Sequence, residues 1–230
     1  YTNNVANFSL THKIKASLVE HKFLVYTKTA QQTFLLRTID SVVCGDAYLV
    51  MGQSNAWSNW RGGYSYTNEY NRTFGIQTNT GNEEQYNAAD TNWVIGQANY
   101  NTEDSPNGSY KKNVGLWALH LQRMIRDTFG IPTVVINGAK HSSSIRAHLR
   151  NDGNPTDYNT YYGKALYRAQ KSGLAGSIKA IFWFQGETDG DTAYVNYASY
   201  FDQLRTDWLS DYPATQKIFV FQNILLKSLP

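Results

Sequence analysis

The sequence predicts an α/β fold built on a mainly parallel sheet behind a short β-rich lead-in, and two patterns carry that prediction. From Asp46 onward, short apolar runs such as Ala47-Tyr48-Leu49-Val50-Met51 and Ile178-Lys179-Ala180-Ile181-Phe182-Trp183-Phe184 alternate with amphipathic stretches, which is the signature of βαβ units. Ahead of it, residues 1–43 alternate in the manner of strands and contain no convincing helix. The change of pattern divides the chain into a β-rich N-terminal segment, 1–43, the edge of a β module, and an α/β domain, 44–230. The length of 230 residues suits one sizeable domain of this class.

Taken in order, residues 13–19 and 33–39 read as strands of the lead-in. The run 47–51 is bounded by Gly45-Asp46 and Gly52, and reads as a buried parallel strand ending in a tight turn. Residues 55–113 have no clear periodicity and are crowded with Asn, Gly, Tyr and Thr, so they form a long connection of the kind that carries function. Its aromatics, among them Trp57, Trp60, Tyr64, Tyr66 and Tyr70, either stack on sugar rings or pin the loop to the sheet. A helix over 114–129 places Trp117, Leu121, Met124, Ile125 and Thr128 on one stripe and stops at Gly130 and Pro132. A short strand at 133–136, a helix at 161–170 and a strand at 178–184 follow. Val195, Ala198, Phe201, Leu204 and Trp208 then mark a helix that Pro213 ends, and 218–226 closes the pattern as one more strand.

Composition excludes several roles. Twenty-one basic and 18 acidic residues give a net charge of only +3, scattered without runs, so no nucleic-acid partner is expected. The longest apolar stretches are too short to span a bilayer, and no membrane partner is expected either. Cys44 is the only cysteine, which rules out an intrachain disulfide and a zinc site of several thiolates, and it reads as a buried, inert thiol. The chain starts at Tyr1 without a signal peptide and reads as a mature or trimmed product. Abundant Tyr, Asn and Thr suit a polysaccharide-handling protein that is secreted, periplasmic or on the cell surface.

Three turns, each directly after a strand, carry chemistry. In Gly52-Gln53-Ser54-Asn55, Ser54 stands where a nucleophile would sit, at the strand end facing the crevice where open α/β sheets bind ligands; the same residue types also serve as plain turn and cap residues. Trp183-Phe184-Gln185-Gly186-Glu187-Thr188-Asp189 repeats that logic, with Gln185 a candidate donor to a developing oxyanion. Glu187 and Asp189 are acids, helix-start carboxylates or metal ligands; the calcium-loop spacing is incomplete, and no metal site is assigned. In Ile136-Asn137-Gly138-Ala139-Lys140-His141-Ser142-Ser143-Ser144-Ile145, the backbone amides can form an anion-binding nest. His141 there is either a loop hydrogen-bonder or a general base, and His148 has the weaker claim.

The segment Gly45-Asp46-Ala47-Tyr48-Leu49-Val50-Met51-Gly52-Gln53-Ser54-Asn55-Ala56, taken with Trp183-Phe184-Gln185-Gly186-Glu187-Thr188-Asp189, resembles the sialate O-acetylesterase-like branch of the SGNH hydrolases, over about residues 43–226. The resemblance implies a three-layer α/β/α, flavodoxin-like fold and a serine esterase that removes O-acetyl groups from a carbohydrate without metal or organic cofactor. It implies Ser54 as nucleophile and oxyanion amide, Gln185 as side-chain donor of the oxyanion hole, and Glu187 as a supporting acid. The turn at His141-Ser142 takes the place of a Gly-Gly in the family, where the Ser142 amide would be the remaining donor and a left-handed backbone would be strained. Asn55, Trp57 and Trp60 are the expected substrate contacts.

The family's late Asp-x-x-His, which supplies acid and base, occurs nowhere in the 230 residues. The expectation is a missing C-terminal segment or a second chain that supplies the Asp/His pair, with His141 as a displaced base instead. The competing reading is a catalytically inactive carbohydrate-binding or surface-adhesion domain on the same fold.

Overall fold

A computed structural model describes residues 8–58, 66–78, 86–98, 112–190 and 194–221. Two strands, β1 (His21–Lys28) and β2 (Thr33–Val42), pair antiparallel as a separate two-stranded sheet. Then come β3 (Asp46–Gly52), the single-turn α1 (Ser54–Trp57), β4 (Asn71–Phe74), β5 (Trp93–Ile95) and α2 (Leu116–Phe129). The chain continues with β6 (Thr133–Asn137), α3 (Tyr161–Lys171), β7 (Ile178–Phe184), α4 (Glu187–Gly190), α5 (Tyr197–Asp211) and β8 (Lys217–Phe221). The second sheet runs β5-β4-β6-β3-β7-β8, parallel throughout except for β5 at one edge.

Strand alternation explains how β3 becomes the centre of this sheet. Leu49 and Met51 point to one face, where they join Ile136, Ile181, Trp183, Tyr162, Leu166 and Trp208 under α3 and α5. Tyr48 and Val50 point to the other, with Val135, Phe182, Leu119 and Trp57 under α1 and α2. Burial on both faces is why β3, β6 and β7 read as continuous apolar runs. Helices on both faces of a mainly parallel sheet are the α/β class that the sequence predicts.

Five expectations change. Residues 13–19 form no strand, having no ladder partner among the described residues. The presumed loop contains β4 and β5, which periodicity misses because β4 buries Asn71 and Thr73. Helix α2 turns only part of the expected stripe inward: Trp117, Leu121 and Ile125 pack against the core, but the fully buried positions are Ala118, Leu119 and Gln122, and Met124 is 55% exposed. Gln122 is tolerated there because its amide donates to the carbonyls of Arg72 and Thr133, both at 3.1 Å. Val195 lies in the 3-10 turn ahead of α5 and is exposed. Cys44 is only half-buried, and the end of the expected strand 218–226 lies outside the described residues.

The buried Arg168 of α3 ties the sheet's strand ends together, donating to Phe74 O (2.8 Å), Asn137 O (2.9 Å) and Thr73 Oγ1 (3.2 Å). The lead-in hairpin is clasped at the opposite end of the sheet, where Arg72 pairs with Glu20 at 2.5 Å and donates to Ser41 O at 2.6 Å. A cavity of about 520 Å³ between Val42, Asp46, Trp93 and Pro132 opens at that end. It lies at the starts of β3 and β6, away from the strand ends where α/β sheets place their sites.

Candidate active site

Strand β3 ends on Gly52, whose φ of +133° and closeness to β7 turn the chain sharply upward. Gln53 is extended and donates its N–H to Phe184 O at 2.9 Å, and Ser54 then opens α1. Ser58, left-handed at φ 52°, closes that turn by donating to Ser54 O. The turn is held from below by Trp117 Nε1, which donates to Asn55 O (3.0 Å) and Ala56 O (3.1 Å), and by Asn137 Nδ2 on Ala56 O (3.3 Å). Ser54 itself is exposed, and among the described residues neither its hydroxyl nor its amide makes a hydrogen bond.

The neighbouring strands bring their own turns to the same end. After β6, Gly138 N and Lys140 N donate to Val50 O and Gly52 O, each at 2.9 Å, so the chain from 138 to 145 lies beside the Ser54 turn. Ser142, in this loop, is exposed and left-handed, with φ 56°. After β7, the buried Gln53 reaches across: its Oε1 accepts from Gly186 N (3.2 Å) and Thr188 N (3.1 Å). Asn55 Nδ2 donates to Glu187 Oε1. Three strand ends thus form one polar platform around an unengaged serine.

Residues 44–227 match the carbohydrate esterases described as sialic acid-specific acetylesterases. The chain belongs to this family. Among solved structures, a carbohydrate acetylesterase from Xanthomonas citri is similar with a TM-score of 0.51 at 16% identity, over 86% of this chain and 45% of that one. A protein from Arabidopsis thaliana gives a TM-score of 0.51 at 17% identity, over 76% of this chain and 73% of that one. At such identities the likeness is one of fold, and the chain spans under half the length of the Xanthomonas enzyme. No curated protein matches the sequence.

Within this acetylesterase-family domain, the expected site residues divide. Ser54, Asn55, Ser142, Gln185 and Glu187 all lie on the three converging turns. Gln185, however, is buried, and both hydrogens of its amide are taken: Nε2 donates to Ser143 O at 3.1 Å and to Asp189 Oδ2 at 2.5 Å. Two acceptors fix that amide orientation, so donation to an oxyanion requires surrender of one of these bonds. Trp57 is only 5% exposed and packs into the core, which corrects the expectation that it stacks on a sugar. Trp60 lies outside the described residues.

His141 is exposed and sits edge-on to Trp57, with ring centroids 4.8 Å apart. Partial burial and the neighbouring Lys140 lower its pKa, but no hydrogen bond joins it to Ser54 among the described residues. Gln53 is the residue that sequence reasoning left without a role, and Asp189 is one for which it offered an acid, a helix-start carboxylate or a metal ligand but not a grip on another turn. Gln53 had one signal, its place inside the Ser54 motif; the reach of Asp189 to Ile145 N, at 2.8 Å, is set only by the fold.

His148 lies beneath the second turn, its Nε2 at 2.7 Å from Ser143 Oγ. That hydroxyl donates to Lys140 O, so the imidazole is the donor, and its buried Nδ1 has no partner among the described residues. Burial lowers its pKa from 6.5 to about 3. Below pH 6.5 the unfolded chain therefore binds a proton that the folded chain refuses until about pH 3, and stability falls as pH drops through that window. Between pH 7 and 5 this group is expected to remove about 2 kcal/mol of unfolding free energy. Urea titrations at both values check it: His148→Gln should lose that part of the pH dependence.

Proposed function

We propose that this domain is a serine esterase that releases acetate from an O-acetylated carbohydrate, acting outside the cytoplasm. The observation that carries the reading is Ser54, exposed and unengaged on a tight turn at the end of the central parallel strand, beside the turn that holds the left-handed Ser142. Ser54 Oγ attacks the acetyl carbonyl, and the carbonyl oxygen takes the negative charge as the tetrahedral intermediate forms. The amides of Ser54 and Ser142, which have no partner among the described residues, are the donors at hand for that oxygen. Collapse expels the sugar alkoxide, which takes up a proton, and leaves acetyl-Ser54; water then attacks the ester and acetate departs.

The proton of Ser54 must go to a base. In this proposal an Asp/His pair on a further segment or a second chain supplies it, since no imidazole is bonded to Ser54 among the described residues. The engaged Gln185 amide, and the lack of an imidazole bonded to Ser54 among the described residues, favour the second reading, a carbohydrate-binding domain without turnover. Chemical rescue separates the two. If only the base is lacking, added imidazole is expected to raise hydrolysis of an aryl acetate by the 230-residue chain well above that of Ser54→Ala in the same buffer. Equal rates in the two proteins support the binding domain, and acetate release from O-acetylated sialic acid against acetylated xylan then tests the substrate class.

A further inference from the structure

We propose that Asp189 is a positioning residue of this site, holding the turn after β6 so that Ser142 stays left-handed and its amide stays available to the oxyanion. The inference rests on the esterase reading and deepens it. A non-glycine residue at φ 56° is disfavoured and persists only where its surroundings over-determine it.

Here the pins lie on both sides of Ser142. On the N-terminal side, Lys140 N donates to Gly52 O at 2.9 Å and Lys140 O accepts from Ser143 Oγ at 2.5 Å. On the C-terminal side, both restraints trace to one carboxylate oxygen. Asp189 Oδ2 accepts from Ile145 N at 2.8 Å and from Gln185 Nε2 at 2.5 Å, and the same Gln185 nitrogen holds Ser143 O at 3.1 Å.

Asp189 is 2% exposed, so these bonds are made away from water, where a charged acceptor holds its donors most strongly. It also gives Gln185 a role other than the one expected of it. With Nε2 turned to two acceptors, Gln185 is the strut through which Asp189 grips the turn, because the opposite amide orientation would set Oε1 against Ser143 O and Asp189 Oδ2. Removing the carboxylate frees both restraints and lets Ser142 relax to a negative φ, which swings its N–H away.

The test compares Asp189→Ala, Asp189→Asn and Asp189→Ala with Ser142→Gly in the full chain, with imidazole present. In Asp189→Ala, kcat for an aryl acetate should fall by about 30-fold with KM within about twofold, the pattern of a lost transition-state donor. Adding Ser142→Gly should return about tenfold, because glycine needs no pins to be left-handed. Amide exchange at Ile145 should accelerate at least about tenfold while Val135 in β6 is unchanged. Should Asp189→Ala not fold, Asp189→Asn serves: its neutral oxygen holds Ile145 N less strongly, so exchange there should still quicken by about threefold. Unchanged exchange at Ile145, or a fall in kcat that Ser142→Gly does not repair, overturns the proposal. Ser54→Ala is run alongside. If it retains full activity the esterase reading fails, whereas the exchange at Ile145 still decides whether Asp189 holds the turn.

Discussion

Ser54→Ala is expected to lower kcat/KM for an acetyl ester by at least about 10³-fold, near 4 kcal/mol, while changing the unfolding free energy by less than about 0.5 kcal/mol. The two halves follow from one fact: the Ser54 hydroxyl is exposed and makes no hydrogen bond among the described residues, so the folded state loses nothing when it is removed. Alanine keeps the backbone amide, so the oxyanion donor at this position survives and only the nucleophile is deleted. Initial rates with an aryl acetate, with imidazole supplied as the base and its own background rate subtracted, and a urea titration of the same preparations give both numbers. Retention of more than a tenth of the rate would show that another group attacks the ester. A loss of stability above about 1 kcal/mol would instead make Ser54 a turn residue, the plain alternative for a serine at a helix start.

How much of this was legible beforehand depended on what each residue answers to. Strands β3, β6 and β7 were legible because both faces are buried, which leaves a continuous apolar run in the sequence. The end of α2 was legible from Gly130, which caps the helix in the left-handed conformation at φ 64°. Its inner face was legible only in part: Trp117, Leu121 and Ile125 do pack on the core, but Gln122 is buried by two carbonyl partners that only the sheet supplies. Strand β4 was hidden for the same reason: Asn71 and Thr73 are core residues there, and Asn71 Nδ2 is satisfied by Tyr66 O at 3.0 Å.

The site followed the same rule. Ser54 and Ser142 answer to the local chain, a turn after a strand and a position where glycines belong, and Ser142 is indeed left-handed. Gln185 and Asp189 answer to a turn more than 40 residues away, Asp189 to Ile145 across a separation of 44. Sequence could name their chemistry but not the partner on which they spend it. A free donor and a structural strut have the same letters.

Gly52→Ala is expected to cost at least about 3 kcal/mol of stability, and with it the activity, although the substitution adds a single methyl group. Two independent penalties meet at this position. The backbone has φ +133°, a region that side chains other than hydrogen rarely enter. A Cβ built there would lie 2.1 Å from Phe184 O and 2.6 Å from its carbonyl carbon. Neither contact involves a flexible group, so relief requires β3 and β7 to part just where Gln53 N donates to Phe184 O at 2.9 Å. That bond sets the path of Gln53, and Gln53 Oε1 in turn holds Gly186 N and Thr188 N at the start of α4. Displacing Gly52 therefore moves the nucleophile turn and the Gln185 turn together. Gly176 is the control: nothing lies within 4 Å of its added Cβ, so Gly176→Ala should change stability by less than about 1 kcal/mol. If both variants unfold at the same urea concentration as the parent, the close approach of Gly52 to β7 is not what sets Ser54 in place. A large loss confined to Gly52→Ala would mean that the glycine of Gly52-Gln53-Ser54-Asn55 is there to let two backbones touch, so that the serine can stand clear of both.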